Sequence, residues 1–352
     1  MIAATVHDPH LFDGLADLDV PRRASVVDHL AHVAHSHLIV LDRDGLLGQA
    51  MLSRLADLPP TIRSRLEAAI QPGRIVRLSV DAQKRADYEA LLDRRETATA
   101  LALNCEAIDS VITDEEGKLG VETIGGGAPD NLQTLPEFLL SDCHQRLLMT
   151  MGGVTLRDMT REDFSGNIVG PVLRWAKQVR IIDRHITTAY FEHNPDTTDQ
   201  DTQWGRISAT LKFLYALWED RCEVRQDRFV IVTQPLHPDR WRQPWHNGQC
   251  PNVCKQAELI AETLDLGPRA QIEVIKVPAE VKALDHDRYL RTDRNIVLNF
   301  SKGFDLIRPN GMCGECTVSL NREASNETVL TLLEKSRTLA TCRCGPYGWT
   351  AS

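Results

Sequence analysis

Residues 286–305, HDRYLRTDRNIVLNFSKGFD, hold the densest set of side chains able to work on a phosphate. His286, Arg288 and Asp293 follow the spacing H-x-R-x4-D. In a strand, side chains alternate with period two, so His286 and Arg288 would share a face. A neutral imidazole can attack phosphorus and form a covalent intermediate. A planar guanidinium clamps the non-bridging oxygens where charge develops, and an aspartate can orient the imidazole by hydrogen bonding. The plain alternative is a surface His–Arg pair, flanked by Asp285 and Asp287, on an ordinary edge strand.

A second set is carboxylate. Asp8 follows the apolar run AATV (3–6), Asp42 and Asp44 close HLIVLD (37–42), and Asp114, Glu115 and Glu116 follow SVIT (110–113). Carboxylates at the C-terminal ends of successive strands in an open α/β sheet converge on one crevice. There they would bind Mg²⁺ or Mn²⁺ and activate water. Asp and Glu after strands are also ordinary turn formers.

The third set is thiol. The chain has nine cysteines, and Cys313, Cys316, Cys342 and Cys344 form two close pairs that could complete a structural Zn²⁺ site of four thiolates. Cys250 and Cys254 with His246 compete for that role. Cys105, Cys143 and Cys222 stand alone and read as buried small hydrophobes.

The elements that must carry these groups follow from periodicity and charge. The 352 residues suit two or three domains. Residues 1–165 carry 16 Lys/Arg against 26 Asp/Glu, residues 166–352 carry 24 against 23, and such asymmetry points to units with different jobs. In the first part, strands are predicted at 3–6, 37–42, 74–80 and 110–113. Helices are predicted over 46–70, broken at Pro59-Pro60, and over 82–103. GGGAPDN (125–131) reads as a loop. In the second part, strands are predicted at 178–183, 228–233, 271–277, 288–290 and 295–300. Ile207, Leu211, Leu214 and Trp218 mark one apolar helical stripe. Further helices are predicted over 255–267 and 326–340. No apolar run approaches the ~20 residues that span a bilayer, and the first residues do not read as a secretory signal, so the expected location is cytoplasmic.

The 286–305 segment resembles the phospholipase D superfamily motif, H-x-K-x4-D followed by G-S-x-N. His286 and Asp293 match, Arg288 replaces the lysine, and Ser301 falls at the serine. Phe300 stands where glycine is expected and Gly303 where asparagine is expected. RIIDRHI (180–186) resembles the strand that opens such domains. The similarity spans roughly residues 166–308 and also extends to the phospholipase D-like tails of MIT-domain proteins, which bind partners or membranes. It implies an α/β domain with His286, Arg288, Asp293 and Ser301 as catalytic residues. Because the family's chemistry uses two histidines and one motif copy is visible, it further implies a homodimer.

The acidic first segment resembles PIN-like ribonucleases, with Asp8, Asp42, Glu96 and Asp114 as divalent-cation ligands. The expected organisation is an α/β domain at 1–165, a phospholipase D-like α/β domain at 166–310 and a Cys-containing tail at 311–352. Three functional readings follow. The first is a phosphodiesterase, specifically a nuclease acting on nucleic acid. The second is a catalytically silent module binding a phosphorylated ligand, membrane headgroup or protein. The third is a metal-dependent nuclease in the first segment. A two-domain defence effector would accommodate any of them.

Overall fold

The computed structural model describes residues 2–43, 45–70, 72–78, 108–114, 131–192, 202–236, 252–275, 288–308, 310–321 and 341–344. The chain divides into two compact units, Met1–Leu148 and Met149–Ser352, and both are α/β. The helices expected at 82–103 and 326–340, and most of the loop at 125–131, lie outside the described residues.

The first unit is built on β1 (Ala4–His7), β2 (Leu38–Asp42), β3 (Ile75–Leu78), β4 (Ser110–Thr113) and β5 (Leu132–Thr134). Their order is β3-β2-β1-β4-β5, parallel throughout. Every residue of β1, β2 and β4 is buried. That is why these strands read as continuous apolar runs rather than alternating ones. Around them lie α1 (Val20–Ser36), α2 (Leu46–Ala56), α3 (Pro60–Ala69), α4 (Leu135–Leu140) and the first part of α5 (Asp142–Gly152). Strands β1 to β3 step outward one way and β4 to β5 the other. The order therefore reverses beside β1, and the C-terminal ends of β1 and β4 form the crevice where such sheets take ligands.

The second unit carries an eight-stranded sheet, ordered β13-β9-β8-β7-β10-β11-β12-β6. Its strands are β6 (Val154–Thr155), β7 (Gln178–Ile182), β8 (Arg228–Thr233), β9 (Ala270–Ile275), β10 (Arg288–Thr292), β11 (Val297–Phe300), β12 (Thr317–Asn321) and β13 (Thr341–Cys344). β7, β8 and β9 run parallel, and the remaining neighbours are antiparallel. The main helices are α6 (Ile186–Glu192), α7 (Gln203–Arg221) and α8 (Val253–Leu264). The predicted stripe of α7 is fully buried at Ile207, Leu211, Leu214 and Trp218. Here too the order reverses beside the first parallel strand, between β7 and β10.

Two boundaries differ from the sequence expectation. Residues 149–165 belong with the second unit: β6 pairs with β12, and the backbone N–H of Cys313 donates to Met159 O at 2.8 Å. The described residues after 311 belong to the second unit, because β12 and β13 are strands of the large sheet.

Candidate functional site

Strand β7 is a β-branched run that ends at Asp183, which stands at the reversal point. The Asp183 side chain is 2% exposed. Its Oδ1 accepts the backbone N–H of His185 at 2.9 Å, an Asx turn that ends the strand. Its Oδ2 accepts the backbone N–H of Phe304 at 3.4 Å. Arg288 opens the antiparallel β10, where Tyr289 pairs with Ile182, so its guanidinium reaches the same end of β7. Arg288 Nε lies 3.6 Å from Asp183 Oδ1, and Nη1 donates to Ser301 O at 3.5 Å. Burial pushes the Asp183 carboxyl above its ordinary value, and the His185 N–H, then Arg288, pull it back down.

The 301–307 segment closes around this pair. Gly303 has φ +94° and an added Cβ would stand 3.0 Å from Asp183 Oδ2 and 3.2 Å from Arg288 Nε, so glycine is needed twice over. Ser301 Oγ accepts the backbone N–H of Thr317 at 2.9 Å and lies 3.8 Å from Cys316 Sγ. Thr210 of α7 fixes the other end: its Oγ1 accepts the N–H of Leu306 at 3.2 Å and of Ile307 at 3.1 Å. Asp305 is raised by burial and lowered by Arg206, Arg288 and Arg308. Two aspartates therefore sit among arginines at one sheet end.

Of the four residues expected to act together, the structure joins Arg288 and Ser301. His286 lies outside the described residues. Asp293 is at the far end of β10, a five-residue strand that places it roughly 16 Å from Arg288 at about 3.3 Å per residue. There Asp293 Oδ1 accepts the backbone N–H of Gln178 at 3.2 Å. It ties the β10–β11 turn to the start of β7, and in that place it cannot orient an imidazole beside Arg288. The sequence reading missed Asp183, Asp305 and Arg206. The available signal for Asp183 was its place directly after a buried strand, the same place that singled out Asp8.

In the first unit, Asp8 is 1% exposed. Its Oδ1 accepts the N–H of His10 at 3.0 Å and its Oδ2 the hydroxyl of Thr113 at 2.8 Å. Burial raises its carboxyl, the bonds from His10 and Thr113 oppose this, and nearby Asp114 raises it further. Asp8 and Asp114 thus stand near each other at the C-terminal ends of the neighbouring strands β1 and β4. Asp42 is engaged elsewhere, since its two oxygens accept the N–H of Leu46 at 2.9 Å and Leu47 at 2.7 Å, holding the first turn of α2. Glu96 lies outside the described residues, as do Glu115 and Glu116. Among the described residues, no three His, Cys, Asp or Glu side chains are grouped to hold a metal ion.

The four-cysteine zinc site is not assembled. Cys313 and Cys316 precede β12, whereas Cys342 and Cys344 belong to β13 at the opposite edge of the sheet. Six strand spacings separate β12 from β13, roughly 29 Å, and one zinc needs every sulfur at about 2.3 Å. Burial pushes the Cys313 thiol up to about 11 and raises Cys316 as well. Cys254, of the competing set, is disulfide-bonded; His246 and Cys250 lie outside the described residues.

No known family model matches the chain, and no curated protein matches it. Among the described residues, no helix is long and apolar enough to cross a membrane.

Proposed function

We propose that the chain is a phosphodiesterase acting on nucleic acid through its second unit. One observation supports this above the others: Arg288 enters the sheet at the reversal-point crevice, held by Asp183 beside Ser301 and Gly303. His286 would attack phosphorus, forming a P–N bond as the P–O bond to the leaving alcohol breaks. A second imidazole, from a twofold-related copy of the chain, would protonate that alcohol. It would then take a proton from the water that cleaves the P–N bond. Arg288 would stabilise the charge developing on the non-bridging oxygens.

The test is cleavage of bis(p-nitrophenyl) phosphate and of a single-stranded oligonucleotide by the full chain in EDTA. His286→Ala should abolish turnover, and Arg288→Lys should lower it about 100-fold. Turnover indifferent to His286→Ala overturns the reading. Light scattering checks the dimer. If the unit only binds phosphodiesters, no turnover is seen and Arg288→Ala removes binding of the oligonucleotide instead.

The closeness of Asp8 and Asp114 favours one second reading, a nuclease in the first unit using Mg²⁺ or Mn²⁺. Cleavage would then vanish in EDTA, survive His286→Ala and be lost in Asp114→Asn.

A further inference from the structure

At the other end of β7 from Arg288, the sheet carries a second basic feature. Arg180 of β7 and Arg291 of β10 are direct cross-strand partners. Opposed residues on one face of an antiparallel pair have Cβ atoms about 5 Å apart, and like charges so placed are unfavourable. Both side chains line one cleft of about 260 Å³, together with Gln178, Thr292 and Asn295. That volume is just below the ~300 Å³ at which pockets for drug-sized ligands begin, so it suits a small group. Asp293 is the acid on this wall. Its Oδ1 accepts the Gln178 N–H, and its Oδ2 lies 3.9 Å from Arg294 Nε.

We propose that this cleft binds a phosphate dianion, either free or as a terminal monoester. Two guanidiniums approaching from neighbouring strands can each present paired N–H donors to phosphate oxygens, a match of geometry that lysines would not supply. Each arginine already takes part in an interaction within the chain and has five N–H donors to divide. Gln178, whose Nε2 donates to Asp227 at 2.6 Å, and Asn295 also line the cleft. The site is separate from the Arg288 crevice. Arg291 is three residues along β10 from Arg288, roughly 10 Å, and projects to the opposite face of the strand. The proposal stands whether or not the chain cleaves phosphodiesters.

The experiment is calorimetric titration of the full chain with inorganic phosphate and, separately, with adenosine monophosphate. One site per chain is expected. Arg180→Gln and Arg291→Gln should each weaken binding at least tenfold, and Arg157→Gln, at an exposed position elsewhere in the unit, should leave it unchanged. Monophosphate binding tenfold tighter than phosphate identifies an esterified ligand, and equal affinities identify free phosphate. Binding of neither probe, binding unchanged in both glutamine variants, or binding lost only in Arg288→Ala overturns the proposal. Should the glutamine variants fail to fold, crystals of the unaltered chain soaked in tungstate decide it. Anomalous density between Arg180 and Arg291 supports the site, and its absence overturns it.

Discussion

The first parallel strand of each unit ends in the same device. After β1 comes Asp8-Pro9-His10, and after β7 comes Asp183-Arg184-His185. In both, Oδ1 of the aspartate accepts the backbone N–H of the histidine, at 3.0 Å and 2.9 Å. Both carboxyls are buried, both are raised by that burial, and both stand where their sheet reverses order. What differs is the neighbour. Asp8 feels His10 and, more weakly, a second acid, Asp114, whereas Asp183 has Arg288 at 3.6 Å and, more weakly, Asp305. One turn motif therefore serves opposite electrostatic ends: the first crevice gathers negative charge that a cation would relieve, and the second holds a guanidinium suited to an anion.

The comparison breaks most directly at Arg288. Removing it leaves the Asp183 carboxylate buried without its counter-charge, a change that costs about 3–5 kcal/mol when a buried pair loses one member. All six tryptophans fall in the second unit, so urea unfolding followed by their fluorescence reads this unit selectively. Arg288→Ala should shift that transition by about this amount, and adding Asp183→Asn should recover most of it. A shift below about 1 kcal/mol would mean that Asp183 is neutral in the folded state and that the pair is no pair.

What the sequence made legible divides by range. RFVIVT and SVIT appear as strands at the residues expected, because apolar β-branched runs buried on both faces need no distant partner to be recognised. The break at Pro59-Pro60 separates α2 from α3 as expected. Helix α1 escaped because arginine and histidine interrupt its buried Val27, Leu30, Val33 and Ala34. The Asp183 site escaped for another reason: its place after a buried strand was visible, but its bond to Phe304 spans 121 positions. Asp293 shows the reverse error. Its spacing from Arg288 was plain, but a strand carries residues five apart to opposite ends rather than together.

The next largest expected effect separates the units by pH. His37 Nδ1 accepts the N–H of Ala3 at 3.0 Å, so its proton is on Nε2 and donates to His144 Nδ1 at 3.0 Å. Protonating either ring disrupts this chain. Burial holds His37 well below its ordinary value, helped by His144, the N-terminus, His32 and Arg74. Burial first, then His32, the N-terminus and His29, lower His144 to about 4, and burial alone lowers His7 to about 4. A histidine with a depressed folded value contributes fully above about 6.5 and loses that contribution as pH falls toward 4, roughly 3 kcal/mol for His7. Asp8 works the other way, as one group against three. In the second unit, Asp183 and Asp305 are raised, and acidification relieves them. Between pH 6.5 and 4, hydrogen exchange in β1 and β2 should therefore rise before tryptophan fluorescence changes. The opposite order would show that the histidines are not what distinguishes the units.

A smaller effect sharpens the geometry of the second crevice. Gly303→Ala places a side chain at φ +94° and 3.0 Å from Asp183 Oδ2. The left-handed backbone alone costs about 1–2 kcal/mol. Because the new Cβ also crowds Arg288, any phosphodiesterase activity should fall further than the stability change accounts for. An activity loss matching the loss of folded protein would mean that the loop position is structural only.

The smallest expected effect bears on the first crevice. Asp42 stands at the end of β2, beside β1, where a metal-binding acid would be placed, yet both its oxygens accept N–H groups of α2. Asn keeps one such acceptor and ranks with Asp at helix N-termini, so Asp42→Asn should cost only about 0.5 kcal/mol. As a cap, its loss of charge should leave any Mg²⁺- or Mn²⁺-dependent cleavage within about twofold. As a ligand, the same change would remove one of the charges that hold the ion and abolish cleavage, as Asp114→Asn is expected to do. The two variants assayed side by side decide whether the acids of this crevice number two or three. With three, the first unit would have the stronger claim to metal chemistry, and the contrast with the arginine-paired Asp183 would become a division of labour.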